Sequence, residues 1–254
     1  AEHDPDPDTD RQVMTWIEEG NTDELAAAFA GPLAFGTAGL RAAVGAGESR
    51  MNRAVVIRTT YGLISWLKQH VDTPVVAIGC DARHGSAQFQ RDAAQVISAA
   101  GGKALVLPAQ NPTPLTSFTV RSLKADAGIM VTASHNPPAD NGYKVYLGGR
   151  IATGPAEGVQ LVSPADAEIA TAIAAAPHAD EVPLSTENIV DVDTRAEYLD
   201  LHGRAVAAGC GGRAGPVSQA RRAEDAAAML TRIAPAGKGA RKPGPRYRAL
   251  ATGP

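Results

Sequence analysis

A serine and a histidine, Ser134 and His135, stand side by side after an apolar run and directly before Asn-Pro-Pro at 136–138. The run at 127–133 predicts a buried strand, so Ser134 would emerge at the carboxyl edge of a parallel sheet, where α/β folds bind ligands. Proline fixes its own φ and restricts the residue before it, so this loop would hold the hydroxyl in place. The alternative interpretation is a turn that only satisfies its own backbone groups.

A glycine-rich segment at 34–42 carries residue types that suit an anion. The backbone at glycines such as Gly39 can approach an anion closely, and Arg41 supplies a planar cation that matches phosphate. Taken alone, such a segment is more often an ordinary turn.

Three further charged residues are candidates for the same crevice. Asp81 and Arg83 follow a second predicted strand, which places them at the same sheet edge, although a surface ion pair is the alternative. Lys144 comes ten positions after Ser134 and reaches the crevice if the intervening loop folds back, although an isolated lysine is more often solvated. Adjacency in sequence does not make His135 a base for Ser134, since catalytic groups must meet in space.

Alternating strands and helices would position these residues. The pattern predicts β-α-β units and a three-layer α/β/α domain with a mixed, mostly parallel sheet, followed by an irregular basic tail. Helices are predicted within 14–31, 51–70, 86–100, 113–123, 163–176 and 193–202, and strands within 74–83, 103–109, 127–133 and 141–147. The predicted divisions are a helical leader at 1–30, the α/β/α domain at 31–190, a linker or the start of a second domain at 191–202, and the tail at 203–254.

Composition excludes several classes of protein. With 44% hydrophobic residues, the 254-residue chain can bury a core. It has no apolar run of the roughly 18 residues that a membrane span needs, and its acidic start lacks signal-peptide features. A cytoplasmic protein without membrane contact is predicted. Its two cysteines, Cys80 and Cys210, are too few and too far apart for a disulfide framework or a zinc site.

Charge is distributed unevenly along the chain. The segment 203–254 has ten Lys and Arg against two acidic residues, about +8, which leaves about −11 elsewhere in a chain of net charge −3. Those basic residues lie among Ala, Gly and Pro, and Tyr247 is the one aromatic residue available for base stacking, which argues against nucleic-acid binding. Oligomeric state is left open.

Two motifs resemble those of the α-D-phosphohexomutase family in its phosphoglucomutase/phosphomannomutase branch. They are "TASHNPPADNGYKVY" at 132–146 and "FGTAGLR" at 35–41, and "GCDARHGS" and "NPTPLTSF" fall between them in the expected order. The resemblance covers about residues 10–200. It implies an isomerase of carbohydrate metabolism that moves phosphate between C1 and C6 (or C5) of a sugar through a bisphosphate intermediate.

The resemblance also implies roles for individual residues. Ser134 carries the phosphoryl group as phosphoserine and gives Mg²⁺ an oxygen ligand, and a sugar bisphosphate serves as activator. Arg41 and Lys144 supply positive charge and proton handling, and His135 orients the substrate or the loop. The substrate is a small phosphosugar. The implied supporting or phosphate-binding residues are Thr37, Gly39, Asn136, Asp81 and Arg83.

The resemblance is incomplete. The Asp-x-Asp-x-Asp loop that holds the family's Mg²⁺ has no counterpart, because the prolines in 4–8 predict extended backbone and 191–193 fits a helix cap. The sugar-recognition loop and the fourth domain are also missing, so a truncated chain is expected, with 203–254 as a frame-shifted read-through. Little mutase activity is expected from the chain alone, and a non-catalytic remnant or phosphate-binding module is the alternative. A serine hydrolase is disfavoured because Gly-x-Ser-x-Gly is lacking.

Overall fold

The computed structural model describes residues 3–209, with side chains for residues 3–204. A compact unit ends at Leu201. The helices are α1 Pro7–Glu18, α2 Thr22–Ala28, α3 Arg53–Leu67, α4 Ser86–Ala99, α5 Thr113–Ser122, α6 Ala165–Ala174 and α7 Arg195–Gly209. The strands are β1 Leu40–Ala43, β2 Val75–Cys80, β3 Lys103–Val106, β4 Ala127–Val131, β5 Asp140–Leu147, β6 Val159–Gln160 and β7 Ile189–Asp191. Two short 3-10 helices lie at Gly154–Ala156 and Ala179–Glu181.

The strands form one mixed sheet in the order β1-β5-β4-β2-β3-β7, and β6 also pairs with β5. Strands β4, β2, β3 and β7 are parallel neighbours, whereas β5 runs antiparallel to β4, β1 and β6. The carboxyl ends of β2 and β4 therefore lie side by side, and the loop after β4 returns through β5. This mixed, mostly parallel sheet confirms the prediction.

Helices cover both faces of the sheet. On one face the core joins Ile57 and Leu63 of α3, Phe89 of α4 and Ile169 of α6 to the strands. On the other face, Val120 of α5 packs with Met130 and other residues of a smaller cluster. The predicted α/β/α layering is thus confirmed. None of the helices in the range 3–209 is long and apolar enough to cross a membrane.

The side chains of β5 alternate between the two faces of the sheet. Val145 and Leu147 belong to the core on the α3 face, and Tyr146 belongs to the cluster on the α5 face. Lys144 shares the face of Tyr146, because side chains two residues apart in a strand lie on one face. Lys144 is paired in register with Met130 of β4.

Two helix boundaries differ from the sequence predictions. Segment 4–8 was predicted to be extended, but α1 begins at Pro7 with Asp6 as its N-cap, since the first turn of a helix tolerates proline. Helix α7 continues past residue 202 to Gly209, because Arg-Ala-Val-Ala-Ala at 204–208 consists mainly of good helix formers. From residue 210 onward, the predicted basic tail lies outside the described residues.

Candidate functional site

Ser134 lies at the carboxyl edge of β4 in a strained backbone conformation. Its φ is +58°, in the left-handed region that residues other than glycine, asparagine and aspartate seldom adopt. Its side chain is exposed, and its Oγ makes no hydrogen bond with any residue in the described part of the chain. A strained residue of this kind persists only where its surroundings hold it, and such residues cluster at functional sites.

Arg83 holds the backbone of residues 132–140, the serine loop, which carries Ser134. Its Nη1 donates to the carbonyl oxygens of Pro137 at 2.7 Å and Asp140 at 2.9 Å. Its Nη2 donates to those of Ser134 at 2.8 Å and Asn136 at 2.9 Å. Four carbonyls of one loop thus converge on one guanidinium, whose rigid fork can satisfy them together.

Asp81 and Thr132 continue this support. Thr132 Oγ1 donates to Asp81 Oδ2 at 2.6 Å and accepts the Ser134 N–H at 2.9 Å. In the bond between Thr132 and Asp81 the hydroxyl must be the donor, because an ionised carboxylate only accepts hydrogen bonds. Asp81 also accepts from Ser86 Oγ and forms an ion pair with Arg83 Nε at 3.2 Å. The backbone at Ser134 is therefore fixed on both its N–H and its C=O.

Asn136 links the serine loop to Arg41. Its Nδ2 donates to Asp140 Oδ2 at 2.9 Å, and its Oδ1 accepts from Arg41 Nη1 at 3.1 Å. Arg41 lies on β1, where it is paired with Gly142 of β5, and its side chain is exposed. The Arg41 guanidinium consequently stands beside the loop that carries Ser134.

The glycine-rich segment forms a tight turn that packs on β5. The N–H of Gly39 donates to the carbonyl of Gly36 at 2.7 Å, and Gln160 of β6 donates to the carbonyl of Thr37 at 2.8 Å. Gly39 has φ +76°, and a Cβ at this position would lie 3.1 Å from the Cα of Lys144. This turn thus brings Thr37 and Gly39 to the strand that carries Lys144.

Gly39→Ala is expected to destabilise the fold by about 2–4 kcal/mol, through left-handed strain and overpacking. The added Cβ would overlap the carbonyl oxygen of Tyr143, which is backbone and cannot swing away. Gly20→Ala is the matched control, because Gly20 has φ +67° and nothing within 4 Å of such a Cβ. Urea denaturation should give a clearly smaller loss for the control, and equal losses would contradict the packing argument.

Lys144 has an environment that favours its neutral form. Burial lowers the pKa of the half-buried Lys144 amine, and the positive charge of Arg41 lowers it further. Its Nζ makes no hydrogen bond or ion pair with any residue of the part that the structure describes. A lowered pKa increases the neutral fraction of this amine at a given pH, and only the neutral form can accept a proton.

The structure brings most of the predicted site residues together. Ser134, Asn136, Asp81, Arg83 and Arg41 form one hydrogen-bonded network, beside which the turn at 36–39 packs on β5 near Lys144. The loop carbonyls and Asp81 contact all three nitrogens of the Arg83 guanidinium, so Arg83 supports the loop, and its phosphate-binding role stays a prediction. His135 is exposed, and no described residue hydrogen-bonds to it.

Three supporting residues were not singled out from the sequence. Thr132, Asp140 and Gln160 each bind a predicted site residue or its loop. Thr132 stands two positions before Ser134, the spacing at which threonine hydroxyls bond backbone N–H groups, so its role had a local signal. Gln160 had no local signal in the sequence, because it contacts Thr37 across 123 positions of the chain.

Thr132→Val is expected to loosen the serine loop while preserving the packing. Valine keeps the shape but removes the hydroxyl, which leaves the Ser134 N–H without its acceptor and should reduce stability by about 1–2 kcal/mol. Thr132→Ser, which keeps the hydroxyl, should restore slow hydrogen exchange at the Ser134 amide. Equal exchange at this amide in wild type and Thr132→Val would refute the assigned bond.

The described residues do not fit the predicted Mg²⁺ site. The carboxylates nearest the serine loop, Asp81 and Asp140, are already engaged by Arg83, Thr132, Ser86 and Asn136. No group of three or more His, Cys, Asp or Glu residues within 3–209 could hold a metal ion. Beyond an oxygen on a phosphorylated Ser134, this part of the chain offers no ligand set for Mg²⁺.

A family model described as "Phosphoglucomutase/phosphomannomutase, alpha/beta/alpha domain I" matches residues 32–178, more than half of the chain. The chain belongs to this family. The matched range contains every predicted site residue, from Thr37 to Lys144. The resemblance inferred from the two motifs is therefore confirmed.

Curated relatives carry several mutase names. "Probable phosphomannomutase" of Haemophilus influenzae is 45% identical over 156 residues, which are 61% of this chain and 30% of the relative. "Phosphopentomutase" of Homo sapiens is 44% identical over 170 residues, 63% of this chain and 26% of the relative. "Phosphoglucomutase" of Staphylococcus haemolyticus is 38% identical over 161 residues, 63% and 26% respectively. The chain thus spans less than a third of these relatives.

Among solved structures, a Thermus thermophilus protein with a provisional phosphomannomutase name aligns with a TM-score of 0.59 and 27% identity. The alignment covers 69% of this chain and 36% of that one. A phosphoglucomutase/phosphomannomutase family protein of Burkholderia thailandensis aligns with a TM-score of 0.52 at 19% identity, which supports the fold alone. The domain fold is therefore shared with solved members of the family.

Proposed function

We propose that this chain carries the phosphoryl-accepting serine of a phosphosugar mutase, with Ser134 as the carrier. The observation that supports this most is the strained, exposed Ser134, whose backbone is fixed by Arg83 and Thr132 while its hydroxyl is left unbonded by the described residues. A rigidly held nucleophile lowers the barrier of a transfer reaction because its orientation is set before the substrate arrives.

The proposed transfer has two balanced halves. In the first half, the oxygen of a sugar hydroxyl attacks the phosphorus of phosphoserine. The new bond from the sugar oxygen to phosphorus forms as the bond from phosphorus to Ser134 Oγ breaks. The proton that the sugar hydroxyl loses ends on Ser134 Oγ. In the second half, Ser134 Oγ attacks the other phosphoryl group of the sugar bisphosphate. The bond from that phosphorus to the sugar oxygen breaks, and the sugar oxygen takes up the proton. The net result moves phosphate between C1 and C6 (or C5) of the sugar.

Arg41 and Lys144, the two basic residues near the serine loop, suit the negative charge of the transferring phosphoryl group. A transferring phosphoryl group carries negative charge on its equatorial oxygens, which nearby cations stabilise. Arg41 is assigned to that role because it is exposed and tethered to the serine loop through Asn136. Lys144, whose pKa is lowered by burial and by Arg41, is assigned to take and return the proton of the attacking hydroxyl.

Several parts of the proposal come from the sequence alone. Mg²⁺, a bisphosphate activator, the orienting role of His135 and a cytoplasmic location stay predictions. The relatives are named for phosphomannose, phosphopentose and phosphoglucose chemistry, so the sugar is left open. A sugar phosphate of hexose or pentose size is the proposed substrate class.

A phosphate-binding module without transfer is the second candidate. It is favoured by the missing carboxylate set for a metal within residues 3–209. In that case Arg41 and Lys144 would bind the phosphate of a ligand, and Ser134 would stay unmodified.

Incubation with glucose 1,6-bisphosphate separates the two candidates. The proposed function predicts a phosphoryl adduct by intact-mass measurement, which disappears when glucose 1-phosphate is added as acceptor. Phosphate binding by NMR titration without an adduct would support the module instead. Absence of both adduct and binding would overturn both candidates.

A further inference from the structure

Lys144 stands out among the lysines of the described region. Lys68 Nζ donates to the carbonyl of Ala100 at 2.8 Å, and Lys124 Nζ contacts Glu157 at 3.1 Å. Lys103 is exposed at the start of β3. Lys144 alone of these four is half-buried with an amine that no described residue contacts by hydrogen bond or ion pair.

Arg41 lies beside Lys144 on the same face of the sheet. The register pairs Arg41 with Gly142, two residues before Lys144 on β5. Diagonal neighbours of this kind are about 7–8 Å apart and within reach of long side chains. The guanidinium donates to Asn136 through Nη1, and its Nε and Nη2 have no hydrogen-bond partner among the described residues.

These two side chains have complementary reactivity. A lysine becomes nucleophilic when it is desolvated or stands next to another cation, and both conditions lower the pKa of Lys144. An arginine with unused N–H groups binds phosphate oxygens. A ligand with a phosphate at one end and an electrophilic carbon next to it would meet both residues at once.

We propose that Lys144 is a site of acylation by acyl phosphates, the mixed anhydrides of carboxylic and phosphoric acids, with the phosphate group bound by Arg41. The lone pair of Nζ forms a bond to the acyl carbon, and the bond between that carbon and the bridging oxygen breaks. The bond's electron pair leaves with inorganic phosphate, which takes up the proton that nitrogen loses. The inference rests on the anion site of the proposed function, and it does not require transfer by Ser134.

Acylation would act as a covalent block of this site. It converts the Lys144 amine, which can carry positive charge, into a larger, neutral amide. Of the two neighbouring basic residues, only Arg41 on β1 then keeps its charge. Binding of a phosphosugar at Arg41 and Lys144 should weaken accordingly, whatever the state of Ser134.

Acetyl phosphate is the probe, and the full chain is the substrate. The protein is incubated at pH 8 with acetyl phosphate or with the neutral reagent N-acetoxysuccinimide, and acetylation of each lysine is quantified by peptide mass spectrometry. With acetyl phosphate, Lys144 should react about tenfold faster than Lys103. Arg41→Gln should lower the ratio of acetyl phosphate to neutral-reagent labelling at Lys144 by about fivefold. Inorganic phosphate should lower the same ratio in the wild type.

Two outcomes would overturn the proposal. One is labelling of Lys144 by acetyl phosphate no faster than that of Lys103. The other is a labelling ratio unchanged by Arg41→Gln or by phosphate, because Arg41 would then not guide the reagent. Circular dichroism of Arg41→Gln establishes that the variant is folded, and Ser134→Ala should label as wild type, which separates this test from that of the transfer reaction.

Discussion

Ser134→Ala is expected to abolish phosphoryl incorporation from glucose 1,6-bisphosphate. The Ser134 Oγ is the only atom assigned to accept phosphorus, and alanine leaves the loop contacts of Arg83 and Thr132 with the backbone unchanged. Binding of inorganic phosphate should stay near the wild-type level, since Arg41 and Lys144 are retained. Intact-mass measurement gives the incorporation, and NMR titration gives the binding.

Ser122→Ala is the matched control for this loss. Ser122 is exposed at the end of α5, away from the serine loop in sequence. Its variant should incorporate phosphate as the wild type does. If Ser134→Ala still gained a phosphoryl group at the wild-type rate, the carrier would be another residue and the assignment would fail.

Arg83→Lys is expected to lower phosphoryl incorporation by about 100-fold, although it preserves the charge. Lysine has three donors on one nitrogen and cannot reach the four carbonyls that the guanidinium bonds together. The left-handed backbone of Ser134 would lose its constraint, and a displacement of about 1 Å at a reacting group can cost about that factor. The rate of adduct formation is the measurement.

Arg91→Lys is the control for the arginine prediction. Arg91 is exposed on α4 and donates to Gln88 within the same helix, so its replacement should leave incorporation unchanged. Hydrogen exchange across 132–140 should rise in Arg83→Lys and not in Arg91→Lys. A wild-type rate of incorporation in Arg83→Lys would show that the hydrogen bonds from Arg83 to the four carbonyls are not needed for transfer.

Much of the fold could be predicted from the sequence because its periodic patterns are strong. The strand at 127–131 is apolar throughout and buried throughout, and the alternation of 143–147 matches the two faces of β5. The start of α1 was wrong, since prolines at 5 and 7 suggested extended backbone whereas the first helical turn accepts Pro7.

The site could be predicted in residue type more than in role. Ser134, Arg41 and Lys144 were found through motifs, and the antiparallel return of β5 brings the last two together. The sequence could not show that the Arg83 guanidinium bonds four loop carbonyls, because those carbonyls lie more than 50 positions away along the chain. Contacts such as Gln160 with Thr37 depend on strand pairing across the sheet, so local spacing carries no trace of them.

Mapping the phosphoryl group after reaction with glucose 1,6-bisphosphate tests the central claim most directly. Tandem mass spectrometry of the peptide that spans residues 127–144 distinguishes Ser134 from Thr132, the other hydroxyl in the serine loop. The account predicts phosphate on Ser134 and its loss when glucose 1-phosphate is added. Phosphate on a different residue, or none on this peptide when the protein is folded and binds phosphate, would contradict it.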